Sequence, residues 1–95
     1  MAAPLRVGIL GARRALFVVG CRAAFPEELA LAGVCDIRPE RAEEAARQHS
    51  IDQVYPTYEA MLEDKGIELV VIGTPDHLHG EQAIQALEAG KHVLS

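Results

Sequence analysis

The stretch LRVGILG, residues 5–11, decides the fold of this chain. It is a short apolar run that ends in glycine, too short for a helix and rich in branched side chains. Runs of this kind form strands that are buried on both faces of a parallel sheet. We therefore predict a buried strand at 5–10 and a tight turn at Gly11.

Further apolar runs alternate with helical patterns along the rest of the chain. Strands are predicted at Leu29–Cys35, briefly within 52–56, at Leu69–Ile72 and from His92 onward. Helices are predicted from Arg14 to about Phe25, from Pro39, from Thr57 to about Leu62, and from about His77 to Ala89. This alternation predicts an α/β fold, a Rossmann-like doubly wound parallel sheet with strand order 3-2-1-4-5.

Apolar spacing also distinguishes the helices. The first helix is expected to be largely buried, through Leu16, Val19, Gly20 and Ala23. The second has a narrow small-residue face formed by Ala42, Ala45 and Ala46. The last carries Gly80, Ala83, Ile84 and Leu87 at helical spacing. Thr57 and Asp76 are expected to cap the third and the last helix.

Composition excludes several classes of function. The 95 residues include 9 Lys and Arg and 14 Asp and Glu, a net charge of −5, which disfavours a nucleic-acid partner. No apolar run is long enough to span a membrane and no signal peptide is evident, so we expect a cytoplasmic protein without a membrane partner. Cys21 and Cys35 lack the spacing of a zinc site and are expected to be reduced, buried thiols.

The predicted topology brings three loops to one edge of the sheet. Ligands of doubly wound sheets bind at the carboxyl ends of the strands, near the point where the strand order reverses. The segments 11–16, 36–38 and 74–79 follow strands 1, 2 and 4. Gly11 suits a tight turn that presents backbone N–H groups at a helix start to a pyrophosphate.

Two residues after strand 2 bear on the choice of dinucleotide. Asp36 can accept hydrogen bonds from both ribose hydroxyls of an adenosine, which favours NAD. Arg38 could meet a 2′-phosphate instead, so NADP stays open. Alternatively, Asp36 is only a turn or cap residue before Pro39.

The loop after strand 4 contains His77 and His79. Residues two apart diverge on a helix, and no third ligand is evident, so we expect no metal site. Pro75 keeps Thr74 extended. This accounts for the proline but leaves the two histidines unexplained.

Four segments together resemble the N-terminal domain of the Gfo/Idh/MocA oxidoreductases. They are LRVGILG at 5–11, VCDIRPERA at 34–42, TPDHLH at 74–79 and ALEAGKHVL at 86–94. The resemblance implies the cofactor domain of a nicotinamide-dependent oxidoreductase that acts on CH–OH groups of sugars, polyols or cyclitols. A second domain would bind the substrate, and a full-length form would be able to form homo-oligomers.

The resemblance also implies where the cofactor lies. Asp36 would hold the adenosine ribose, and Thr74, Pro75 and His79 would line the nicotinamide-side ribose and phosphate. The complete set of cofactor-binding candidates comprises Gly11, Ala12, Arg13, Arg14, Asp36, Arg38, Gly73, Thr74, Pro75, Asp76 and His79.

The chain departs from the family pattern in its first loop. Arg13 and Leu16 stand where the family usually has a second glycine and a small residue. Arg13 either obstructs the cofactor or pairs its guanidinium with a phosphate, and we expect the second outcome. Asp76 replaces a common asparagine, and its charge could weaken binding of a nearby pyrophosphate.

The chain also stops at Ser95, within its last apolar run and before the family's Glu-Lys-Pro segment. We therefore expect residues 1–95 to be a dinucleotide-binding fragment with an incomplete sheet, no catalytic residue, no substrate domain and no activity alone. Two alternatives remain: a non-catalytic NAD(P)-sensing or protein-interaction module, and a folded relic without a ligand.

Overall fold

The computed structural model describes residues 3–95. The strands are β1 (Leu5–Leu10), β2 (Leu29–Cys35), β3 (Gln53–Val54), β4 (Leu69–Ile72) and β5 (His92–Leu94). The helices are α1 (Phe17–Ala24), α2 (Pro39–His49), α3 (Tyr58–Glu63) and α4 (Asp76–Glu88), and a 3₁₀ turn, Arg14–Leu16, precedes α1. All strand pairs are parallel, in the order β3-β2-β1-β4-β5. The predicted fold class and strand order are confirmed.

β1 is the central strand, which explains its apolar sequence. It pairs with β2 along one side and with β4 along the other. Val7 and Ile9 have no exposed surface and pack under α1 and α2 with Ala15, Val18, Ala42 and Ala45. On the opposite face, Leu10 belongs to a cluster that includes Met61 of α3 and Ala86 of α4. Burial on both faces is therefore what the strand sequence encodes.

The first helix is less buried than its spacing predicts. Residues 14–16 form a 3₁₀ turn, which has three residues per turn, and only the following residues are α-helical. The fully buried positions are Ala15 and Val18. Leu16 and Val19 are partly buried against the core, whereas Gly20 and Ala23 are exposed. Two of the four predicted positions were therefore wrong, because a single helical period was applied across this turn.

The last helix is largely exposed, and the burial expected of one cysteine was wrong. On α4 only Ala86 is buried, while Ile84 and Leu87 are 58% and 60% exposed. Cys35 is buried as expected, but Cys21 lies exposed on α1, and both are free thiols. The small-residue face of α2 is confirmed, because Ala42 and Ala45 are both buried.

The turn 64–67 closes the edge where β4 begins, which we call the amino edge. Lys91, only 6% exposed, donates from Nζ to the carbonyls of Asp64 (2.9 Å) and Ile67 (2.8 Å). Arg6 Nε donates to the Gly66 carbonyl at 2.9 Å. The Tyr55 hydroxyl donates to the Asp64 carboxylate, which helps to hold the pKa of Asp64 below its usual value. Side chains from three parts of the chain therefore fix this turn.

Among the helices within residues 3–95, none combines the length and the apolar character that a membrane crossing requires.

Candidate functional site

The loops after β1, β2 and β4 meet at the opposite edge of the sheet, which we call the carboxyl edge. Gly11 is at its centre, and its N–H donates to the Cys35 carbonyl at 2.9 Å. Its φ of +92° favours glycine, and a Cβ there would lie 3.0 Å from the Gly73 carbonyl carbon and oxygen. The same Cβ would lie 3.2 Å from the Thr74 nitrogen. Glycine is thus required both by the turn and by the close approach of the loop after β4.

Gly73 makes the reciprocal contact. Its N–H donates to the Leu10 carbonyl at 2.8 Å, which fixes the end of β4 to the end of β1. A Cβ at Gly73 would overlap the Ala15 nitrogen and lie 2.8 Å from the Ala15 Cβ. The start of the first helical segment is therefore seated directly on the β4 loop.

Asp36 joins the first two loops. Its Oδ2 accepts the Ala12 N–H at 2.7 Å, and its Oδ1 accepts the Arg38 N–H at 2.8 Å. A carboxylate has about four lone-pair directions, so each oxygen can accept a further bond from a ligand hydroxyl. The simple helix-cap interpretation is incomplete, because Arg38, not Asp36, is the N-cap of α2, and Asp36 also holds the first loop.

The two loops that Asp36 joins carry exposed arginines and one exposed apolar side chain. Arg13, Arg14 and Arg38 are exposed, and Ile37 is 96% exposed. Arg13 has φ −129° and ψ −78°, outside the left-handed region, so its backbone does not require the family's glycine. Together with Arg41 it lines a cavity of about 170 Å³ between the first loop and α2.

Thr74 is held by two side chains of α4. His79 Nε2 contacts the Thr74 carbonyl, and since a carbonyl oxygen only accepts, Nε2 carries the hydrogen. The Thr74 hydroxyl donates to Gln82 Oε1. His79 and Gln82 are three residues apart, so they share one side of the helix. Gln82 was not predicted as a site residue, because its spacing from His79 indicates only a shared side of the helix and not a contact with Thr74.

Tyr58 connects Gln82 to α3. The tyrosine hydroxyl donates to the Gln82 main-chain carbonyl at 2.8 Å. Burial, with a smaller contribution from Cys35, raises the pKa of Tyr58 to about 12. Tyr58 therefore remains a hydrogen-bond donor at neutral pH.

The structure corrects the expected role of Asp76 and describes both histidines. Pro75 is the N-cap of α4 and Asp76 its first residue, with no side-chain cap bond. An acidic group in the first turn is still favoured by the helix dipole. His79 is half-buried against Thr74, whereas His77 is exposed. Within residues 3–95, no group of three His, Cys, Asp or Glu side chains is arranged to hold a metal ion.

The sequence also matches known proteins. Residues 5–95 match the family model GFO_IDH_MocA, described as an oxidoreductase family with an NAD-binding Rossmann fold. Levoglucosan dehydrogenase from Pseudarthrobacter phenanthrenivorans is 41% identical over 61 residues, which are 64% of this chain and 16% of that protein. D-glucoside 3-dehydrogenase from Escherichia coli is 34% identical over 94 residues, covering 96% of this chain and 26% of that enzyme.

A solved structure shares the fold as well. Levoglucosan dehydrogenase in complex with NADH and L-sorbose superimposes with a TM-score of 0.82 and 31% identity. The match covers 97% of this chain and 27% of that one. The chain therefore spans about a quarter or less of the length of these relatives.

Proposed function

This chain belongs to the Gfo/Idh/MocA oxidoreductase family, within its NAD-binding Rossmann domain, and from that premise we propose that its carboxyl edge holds the dinucleotide of a sugar-type CH–OH dehydrogenase. Residues 1–95 would be the dinucleotide-binding domain. The substrate domain would belong to the remainder of a full-length protein, by similarity to the longer relatives.

The observation that carries the proposal is the position of Asp36. Its two oxygens are already fixed by the N–H groups of Ala12 and Arg38, so the carboxylate is held in place before any ligand arrives. The remaining lone pairs suit the two donors of an adenosine ribose. This donor and acceptor chemistry fits a dinucleotide, and it supports NAD because a 2′-phosphate would be repelled by the carboxylate.

The other site residues have complementary roles in the proposal. The segment 11–14 would lie along the pyrophosphate, where Arg13 and Arg14 supply positive charge close to the first helical turn. Gly73, Thr74, Pro75 and His79 would line the nicotinamide-side ribose, and Asp76 would lie beside it. Arg38 would face the adenosine side, where it gives NADP a possible contact.

When bound, a nicotinamide dinucleotide would accept or donate a hydride. The residues of this chain would bind and orient it, but hydride transfer also needs an aligned substrate and a proton acceptor. We assign no catalytic residue to 1–95. Sugars are the proposed substrates because the relatives' names specify levoglucosan and D-glucosides, and polyols and cyclitols belong in the same test panel.

Titration of this chain with NADH and NADPH, followed by cofactor fluorescence and thermal stability, tests the binding step. We expect NADH to bind more tightly than NADPH. Asp36→Asn should weaken the binding of NADH about 10-fold, because hydrogen bonds to a charged acceptor contribute about 1.5–3 kcal/mol. The difference between the affinities for NADH and NADPH should also become smaller. Asp52→Asn, at an exposed aspartate, is the matched control and should change neither affinity.

Arg13→Gly tests the departure in the first loop. If Arg13 pairs with a phosphate, the glycine variant should bind NADH less tightly than the wild type, by about 5- to 10-fold. Tighter binding by the variant would mean that Arg13 obstructs the site. A folded wild type and a folded variant that both fail to bind would contradict the proposed function.

A further inference from the structure

The hydroxyl of Thr74 is committed to a partner before any ligand binds. Gln82 Oε1 is an amide oxygen and can only accept, so the Thr74 hydroxyl must donate its single hydrogen to it. The Thr74 oxygen then has only lone pairs left. Toward a ligand, this side chain is therefore an acceptor and not a donor.

This commitment discriminates between the ligand groups that could lie beside Thr74. A phosphate oxygen also has only lone pairs at neutral pH, so it gains no hydrogen bond from a Thr74 oxygen in this state. A ribose hydroxyl can donate, and it would complete the arrangement. The ligand chemistry that fits is a sugar hydroxyl.

The main chain of Gln82 is fixed by a contact with α3. Its main-chain carbonyl accepts the Tyr58 hydroxyl at 2.8 Å, and its side chain is half-buried. One helical turn earlier on α4, His79 fixes the main-chain carbonyl of the same threonine. Both the backbone and the side chain of Thr74 are thus oriented by α4.

We propose that Gln82 is a positioning residue, which orients the Thr74 hydroxyl so that it accepts a hydrogen bond from a ribose hydroxyl of the bound dinucleotide. The proposal rests on the proposed function. It adds a residue that does not contact the cofactor, and it assigns Thr74 to the ribose in preference to the phosphate.

The test compares NADH with ADP in binding titrations of this chain, because ADP lacks the nicotinamide-side ribose. Gln82→Met keeps a side chain of similar length and removes the amide acceptor. We expect it to raise the Kd for NADH about 5- to 10-fold, the effect of one lost hydrogen bond, and to leave the Kd for ADP within about 2-fold. Gln85→Met, one turn farther along α4, is the matched control and should change neither Kd.

Two more variants separate positioning from a general structural effect. Gln82→Glu retains an acceptor for Thr74 and should bind NADH more tightly than Gln82→Met. In a double-mutant cycle, Thr74→Val combined with Gln82→Met should bind NADH no more weakly than Thr74→Val alone, because both changes remove the same contact.

Three results would overturn the proposal. They are an unchanged NADH affinity in Gln82→Met, an equal loss of NADH and ADP binding, or additive effects in the cycle. A wild-type chain that binds neither NADH nor ADP would instead contradict the proposed function itself, so the two failures are distinguishable.

Discussion

The two edges of the sheet are stabilised by different kinds of contact. At the carboxyl edge, main chain packs on main chain at Gly11 and Gly73, and arginines nearby are exposed. At the amino edge, side chains reach main-chain carbonyls, and the cation of Lys91 is buried. The comparison teaches that an exposed charge is available to a ligand, whereas a buried charge with fixed partners stabilises the fold.

Loss of the buried cation should have the largest effect. Lys91→Met keeps most of the side-chain volume but leaves the carbonyls of Asp64 and Ile67 without their donor. We expect the free energy of unfolding to fall by about 3 kcal/mol, as is typical of hydrogen bonds from a charged group. Urea denaturation of Lys91→Met measures this fall.

Lys65→Met, at an exposed lysine in the same turn, is the control and should unfold like the wild type. The NADH affinity of folded Lys91→Met should be unchanged. If Lys91→Met kept its stability but lost NADH binding, the amino edge would serve binding and not stability, which would contradict this comparison.

Overpacking the carboxyl edge should have the second-largest effect. Gly73→Ala forces a Cβ against Ala15, and we expect it to lower the free energy of unfolding by about 2 kcal/mol. Because the loops after β1 and β4 would be pushed apart, NADH affinity should also fall at least 10-fold. Thermal denaturation and NADH titration measure the two effects.

Gly80→Ala, within α4, is the comparison variant and should change stability in the opposite direction. Apart from its own helix backbone, nothing lies within 4 Å of a Cβ built at Gly80. Alanine there should stabilise α4 by about 0.5–1 kcal/mol. Equal behaviour of the two alanine variants would show that the close approach at Gly73 has no energetic consequence.

The two tyrosines allow a smaller and more exact comparison. Tyr55 donates to Asp64 at the amino edge, and Tyr58 donates to Gln82 near the carboxyl edge. Each phenylalanine variant should lose about 1 kcal/mol of stability, the usual net value of one hydrogen bond. Only Tyr58→Phe should also weaken NADH binding, by about 2-fold, and equal binding by both variants would contradict this difference.

The smallest effect concerns acid stability. Hydrogen bonds from Tyr55 and Gly66 lower the pKa of Asp64. A carboxyl whose folded pKa is lowered contributes stability above its unfolded pKa, and this stability is lost as pH falls through the folded value. Tyr55→Phe should therefore lose stability less steeply than wild type below about pH 4. If wild type and Tyr55→Phe gave parallel acid denaturation curves, the Tyr55 hydrogen bond would not affect the pKa of Asp64.

Much of the fold could be predicted from sequence because the three central strands are mostly apolar. β1, β2 and β4 are buried on both faces, so length and branching identify them without any need for periodicity. The helices were harder to interpret. The 3₁₀ turn at 14–16 shifts the inward face of α1, and no rule based on one helical period detects such a shift.

The site was predictable in part, for a related reason. Gly11 and Asp36 follow strands directly, so topology alone brings their loops together. Gln82 is a polar residue in the middle of a helix, where a solvated side chain is the ordinary interpretation. Its contact with Thr74 depends on how α4 packs, as does the burial of Lys91, and neither follows from composition or spacing.

The central position of β1 has a consequence for the order of events during synthesis. β1 is synthesised before both of the strands that pair with it. Its last partner in β4, Ile72, follows Leu10 by 62 residues (72 − 10). At about 5–20 residues per second, a ribosome needs several seconds to make that segment. Throughout this interval one side of β1 has no strand partner, so this is when the nascent chain is most open to misassociation.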